Sequence, residues 1–205
     1  MNIQEKRLNM YEEVLPDLLN MIKVKDKRTA IFLQNHMNEL DPVHAQFEGK
    51  YIYGSAGTGK TVYAVWSMLA WIKYNYLNGH AKRKIEFVPV PQFIDTLKAE
   101  IGKNDNKIHL MTESLIDADI VVFDDIGIIR ATDWIYQLMY TIIDARYKKM
   151  KTCIYTNNMS LTEFADILND DRIPSRIAHQ CGDNVLIFKN NKRNQGIQFP
   201  KQSFE

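Results

Sequence analysis

Cysteine is scarce in this chain, with two residues in 205, Cys153 and Cys181. Two thiols cannot by themselves supply a four-ligand zinc cluster, and Cys153 lies in an apolar run where a reduced, buried thiol is the expected state. An excess of charge of either sign is also missing. The 26 Lys and Arg against 25 Asp and Glu leave +1, which neither announces nor excludes a nucleic-acid partner. Basic residues do cluster at 23–28, 82–84, 148–151 and 189–193; each reads as a solvated face unless the fold gathers them. No stretch approaches the apolar length of a membrane span, and the opening MNIQEKRLNMYEE has no signal-peptide core. Low-complexity tracts and internal repeats are absent too. The expectation is a cytoplasmic protein without a membrane partner, built as one α/β domain over residues 28–205 behind a short helical extension, 1–27.

What is present begins with GSAGTGKT at residues 54–61. It satisfies G-x-x-x-x-G-K-[ST] at Gly54, Gly59, Lys60 and Thr61. Tyr51, Ile52 and Tyr53 before it read as a buried strand, and the apolar-rich residues 62–77 after it read as a helix. A strand feeding a glycine turn and then a helix start is an anion cradle, because loop N–H groups and the helix dipole converge on phosphate oxygens. The whole loop, Gly54, Ser55, Ala56, Gly57, Thr58, Gly59, Lys60 and Thr61, is the expected nucleotide contact. Lys60 would reach the β- and γ-phosphates, and the Thr61 hydroxyl would join the shell of a Mg²⁺ ion.

The remaining chain alternates. Residues 8–22 carry an apolar helical stripe interrupted by Pro16, either packed on the main domain or offered to a partner, and 28–39 read as a further helix. Strands are expected near 84–90, 118–124, 152–156 and 184–188, and helices near 92–101, 108–116, 132–150 and 161–168. Five apolar strands alternating with helices predict a parallel sheet covered on both faces.

Residues 118–127 read ADIVVFDDIG, an apolar strand delivering two carboxylates. Asp124, directly after IVVF, is placed to hold the water shell of Mg²⁺, and Asp125 to polarise the attacking water. Asp125 stands one methylene short of a glutamate, which would tune hydrolysis down. Asn157 and Asn158 end the next strand, where an amide can hold water or γ-phosphate in line. Arg172 and Arg176 fall in DDRIPSRI, residues 170–177, a segment expected to be exposed. They are either surface salt-bridge partners or arginines able to reach a phosphate in a neighbouring subunit.

In this order and spacing, GSAGTGKT, VVFDDIG, TNN and RIPSRI resemble the AAA+ ATPases, more narrowly the DnaC/DnaI helicase loaders and the IstB transposition helpers. The resemblance runs from about Phe47 onward. It implies a three-layer P-loop NTPase domain with a parallel five-stranded sheet in the order 5-1-4-3-2 and no separate C-terminal lid domain. It implies Asn157 as the sensor of γ-phosphate in preference to Asn158, and Arg176 as the finger acting on the next subunit's ATP. Arg193 would be a second sensor arginine. Two helices between Gln92 and Ile116 match an insertion that contacts single-stranded DNA, with Lys98, Lys103 and Lys107 as backbone contacts.

The implied activity is Mg²⁺-dependent ATP hydrolysis, weak or stimulated by DNA or partner, in loading a hexameric replicative helicase of the DnaB type onto single-stranded DNA. A homo-oligomer would form with ATP and DNA. The alternatives are a helper ATPase for a transposase, and a weakly hydrolysing decoy that occupies a host helicase or loader. About fifty residues precede the phosphate loop, fewer than such loaders usually carry, and the zinc-site cysteines of the DnaI branch are lacking. A trimmed form of this kind suits a compact phage genome acting in a bacterial cell.

Overall fold

The computed structural model describes residues 2–3, 5–10, 12–13, 49–80 and 83–189. The boundary expected at 27/28, the helix expected over 28–39, the basic cluster at 23–28 and Arg193 lie outside the described residues. So do residues 190–205, on which the expected lack of a lid depends.

Five strands form one sheet: β1 (Lys50–Gly54), β2 (Ile85–Pro89), β3 (Ile120–Asp124), β4 (Thr152–Asn157) and β5 (Val185–Phe188). Every pairing is parallel and the order is β2-β3-β4-β1-β5, the expected 5-1-4-3-2 read from the other edge. The central strands β3 and β4 are almost continuously buried because both faces are covered.

Alternation along the strands separates two cores. Ile52, Ile120, Val122, Ile154 and Phe188 point to one face, against α1 (Lys60–Leu77). Tyr51, Val121, Phe123, Cys153 and Tyr155 point to the other. That second face is covered by α2 (Val90–Glu100), α3 (Asp105–Asp117), α4 (Asp133–Lys148), α5 (Leu161–Leu168) and α6 (Arg172–Cys181). Helix α1 is apolar on most sides and is buried along most of its length, as a helix without a polar face must be. Leu8 of the N-terminal stripe packs on this first core, and Arg7 Nη1 donates to Leu77 O at 2.9 Å, closing the carbonyl end of α1. In its described part, therefore, the stripe packs on the main domain.

Local chemistry sets the helix starts. Thr132 caps α4 by accepting from Ile135 N, Asn104 caps α3 by accepting from Lys107 N, and Ser160 with Glu163 forms a reciprocal capping box on α5. Pro91 occupies the first turn of α2, where its missing N–H costs nothing. DDRIPSRI is not an exposed segment throughout: it enters α6, with Ile173 and Ile177 fully buried.

Arg146 on α4 is fully buried and was not anticipated. It donates to Leu115 O, to Ala118 O (2.8 Å), to Thr152 O (2.7 Å) and to Cys153 Sγ (3.0 Å), tying α3, α4 and the start of β4 together. Cys153 and Cys181 are both free and buried, the reduced state expected of Cys153. Two of the basic clusters do converge at this end of the sheet, but around acids. Lys149 pairs with Asp117, Lys151 and Arg83 with Asp119, and Lys148 with Asp144. No helix among the described residues is long and apolar enough to cross a membrane.

Candidate nucleotide site

The phosphate loop leaves the C-terminal end of β1, with β4 on one side and β5 on the other. Ligands of open α/β sheets bind at this end of the strands. Gly57 (φ 79°) and Gly59 (φ 96°) take left-handed conformations that side chains resist. Gly54 sits so close to β5 that a Cβ there would stand 2.1 Å from Phe188 O. Thr58 Oγ1 donates to Ser55 O at 2.9 Å and braces the loop from within. Helix α1 starts after Gly59, which has no side chain to cap the first-turn N–H groups.

Lys60 is buried, and its ammonium donates to Gly54 O (2.7 Å), Ser55 O (2.9 Å) and Asn158 Oδ1 (2.9 Å). Burial pulls its pKa below the ordinary lysine value, opposed by the nearby charges of Asp125 and Asp124.

Asp124 follows Phe123 on β3 and so shares the α1 face with Ile120 and Val122. The Thr61 hydroxyl therefore meets it, donating to Asp124 Oδ1 at 2.8 Å, and the Thr156 hydroxyl donates to the same oxygen at 2.7 Å. Burial pushes the Asp124 carboxyl above its usual range, while the hydrogen bonds from Thr156 and Thr61 pull the other way. A hydroxyl and a carboxylate side by side at the start of α1 are the hard oxygen donors that Mg²⁺ takes, and the loop's left-handed glycines leave backbone N–H groups for phosphate. The residues present fit ATP with Mg²⁺.

Asp125 holds a left-handed conformation, φ 62°, with its N–H donating to Thr156 Oγ1 at 2.8 Å. Asn158 Nδ2 lies 3.3 Å from Asp125 Oδ1. Asn158 thus touches both Lys60 and Asp125.

Asn157 does not. Its amide is fully buried, donating to the Tyr51 hydroxyl at 2.8 Å and accepting from Asn158 N at 2.7 Å. The cause is the two-residue period of β4. Asn157 shares the face of Cys153 and Tyr155, away from α1, and the turn that follows swings Asn158 back over Lys60. Tyr51 in turn donates to Met159 O at 2.8 Å, and burial raises its pKa strongly. A Cβ on Gly127 would stand 2.5 Å from Asn157 Oδ1, so the DDIG glycine lets its loop close over this amide.

The two arginines of α6 are both engaged within the chain. Arg172 forms a forked ion pair with Asp170 and stacks over Tyr136 and Tyr140. Arg176 donates to Asp144 Oδ1 at 3.0 Å and lies over Tyr147. Neither is brought to the phosphate loop of its own chain by any of these contacts. Lys98 on α2, Lys103 in the turn and Lys107 on α3 are exposed on the helical pair, with Lys107 bound to Glu100 at 2.6 Å. Thr156 is the site residue the sequence reading missed. Strand alternation puts it on the α1 face with Ile154, and the pairing of β4 with β3 brings Asp124 beside it.

Two curated relatives come from Bacillus subtilis (strain 168). The uncharacterized protein YqaM is 25% identical over 69% of this chain and 43% of its own length. The phage-like element PBSX protein XkdC is 24% identical over 72% of this chain and 54% of its own length. The chain spans about half the length of the curated relatives it matches. Among solved structures, the DnaC helicase loader superposes with a TM-score of 0.55 at 25% identity, over 82% of this chain and 92% of that one. Residues 36–196, most of the sequence, match the family described as IstB-like ATP binding protein, with the phosphate loop and the acid pair inside the match. With that match and a P-loop NTPase fold in hand, the chain belongs to the IstB-like ATP binding protein family.

Proposed function

We propose that this protein is a Mg²⁺-dependent ATPase that loads a hexameric replicative helicase onto single-stranded DNA. One observation carries the reading: the 2.8 Å hydrogen bond from Thr61 to Asp124, which joins phosphate loop and acid pair into one oxygen-lined site. When bound, Mg²⁺ there would neutralise phosphate charge. Loop N–H groups and Lys60 would hold the phosphates, Thr61 and Asp124 would hold the metal, and Asp125 would accept the proton of the water that attacks the γ-phosphorus as the bond to the departing ADP oxygen breaks. Asn158, which touches both Lys60 and Asp125, takes the role of phosphate sensor that the family resemblance assigned to Asn157. Arg176 would leave Asp144 to complete the site of a neighbouring copy. Lys98, Lys103 and Lys107 would follow the backbone of single-stranded DNA. The solved loader of similar fold supports the helicase as partner, and the reading places the protein in the bacterial cytoplasm.

The family match favours a second reading, a helper ATPase for a transposase. Affinity capture from the native cell with ATP and single-stranded DNA separates the two. Recovery of a hexameric helicase is expected, and recovery of a transposase without helicase would overturn the loader reading. ATP turnover with and without single-stranded DNA tests the activity, since a decoy would show no stimulation.

A further inference from the structure

We infer that Thr156 is a positioning residue for both members of the acid pair, acting on the Asp124 carboxylate through its O–H and on the Asp125 backbone through its lone pair. Thr156 stands on β4 opposite Ile52 of β1, between the strand that carries the phosphate loop and the strand that carries the acids. It is 1% exposed, so water does not compete for its hydroxyl. A threonine hydroxyl has one proton to give. Here it goes to Asp124 Oδ1 at 2.7 Å, leaving the oxygen to accept from Asp125 N at 2.8 Å.

The two bonds do different things. Thr61 and Thr156 grip the same carboxylate oxygen from α1 and β4, which fixes the plane in which the carboxyl group faces the loop. The bond from Asp125 N holds a non-glycine residue in the left-handed region, a conformation that needs local support. Without it, the backbone is free to relax and to carry the Asp125 carboxylate away from Asn158. One hydroxyl therefore sets both the metal-facing and the water-facing carboxylate, and the inference rests on the Mg²⁺·ATP reading of this site.

Thr156→Val keeps the shape and removes the hydroxyl, while Thr156→Ser keeps the hydroxyl and removes the methyl. Affinity for a fluorescent, non-hydrolysable ATP analogue is measured with Mg²⁺ and with EDTA, alongside thermal melting and ATP turnover. The wild type is expected to bind more tightly with Mg²⁺. The Val variant should lose about tenfold of that Mg²⁺ advantage, the factor set by one hydrogen bond to a charged group. Its affinity in EDTA should stay near wild type, and the Ser variant should restore the advantage.

Turnover measured in Mg²⁺ should follow the same order, with KM rising in Val in step with the weaker Mg²⁺·ATP binding and kcat falling as the Asp125 carboxylate loses its placement. An unchanged Mg²⁺ advantage in Val overturns the inference, as does an equal loss in Val and Ser, which would make the methyl packing decisive. If the wild type binds with a Mg²⁺ advantage but turns over no ATP, the hydrolysis reading fails while the binding series still decides the role of Thr156.

Discussion

Replacing Asn157 and Asn158 one at a time separates a structural amide from a working one. Asn157 is fully buried with hydrogen bonds of 2.8 and 2.7 Å to Tyr51 and to Asn158 N. Asn157→Ala deletes both and leaves the Asn158 N–H without that partner. At about 1 kcal/mol for each bond, with more for the cavity, the loss is about 2–3 kcal/mol. For a protein of this size that corresponds to a melting temperature lower by about 5–10 °C. Asn158 is exposed, and its bonds go to Lys60 and Asp125. Asn158→Ala should leave melting within about 2 °C of wild type, as surface substitutions do. It should lower kcat about tenfold, the equivalent of about 1.4 kcal/mol in the transition state. Scanning fluorimetry and a coupled ATPase assay read both variants. The reverse pattern, Asn157→Ala stable but inactive and Asn158→Ala active but unstable, would refute the placement of the sensor.

Arg146→Met should lower the melting temperature by about 10 °C, because three buried carbonyls lose a charged donor while an expensive buried charge is also removed. Thermal melts check this. Gly54→Ala should weaken nucleotide binding, since its Cβ would collide with Phe188 O and force β5 from β1; a fluorescent-nucleotide titration measures it. Arg176→Ala should bind ATP within about twofold of wild type yet turn over at least about 100-fold more slowly if the arginine acts across subunits. Normal turnover in that variant would remove the arginine from catalysis. The hydrogen bonds from Arg172 hold the Asp170 carboxyl at about 2. A depressed carboxylate pKa contributes stability above its unfolded value and loses it as pH falls through the folded one. In Arg172→Ala the Asp170 titration, followed by NMR, should move up toward the ordinary aspartate value.

The strand, loop and helix around GSAGTGKT were legible because the motif is local: its glycines, lysine and flanking apolar runs are contiguous. Asp124 was legible for a similar reason, standing at the end of an unbroken apolar strand whose alternation points it toward α1. Neighbouring Asn157 and Asn158 were harder. Which of them reaches Lys60 is decided by strand parity and by the turn after β4, and Asn suits both a strand end and a turn. Thr156 was overlooked because a buried threonine in an apolar strand looks like any β-branched core residue until the partner strand is known. Arg146 shares the helical stripe of Ile135, Met139 and Ile142, but an arginine there ordinarily reaches for water, and its partners at Leu115, Ala118, Thr152 and Cys153 meet only through the tertiary fold.

The central claim is that the phosphate loop and Asp124 form one Mg²⁺·ATP site. Titration of the wild type, Lys60→Ala and Asp124→Asn with a fluorescent ATP analogue, in Mg²⁺ and in EDTA, tests it most directly. Saturable, Mg²⁺-strengthened binding is expected for wild type, no binding for Lys60→Ala, and binding indifferent to Mg²⁺ for Asp124→Asn. Wild-type behaviour in both variants would contradict the account.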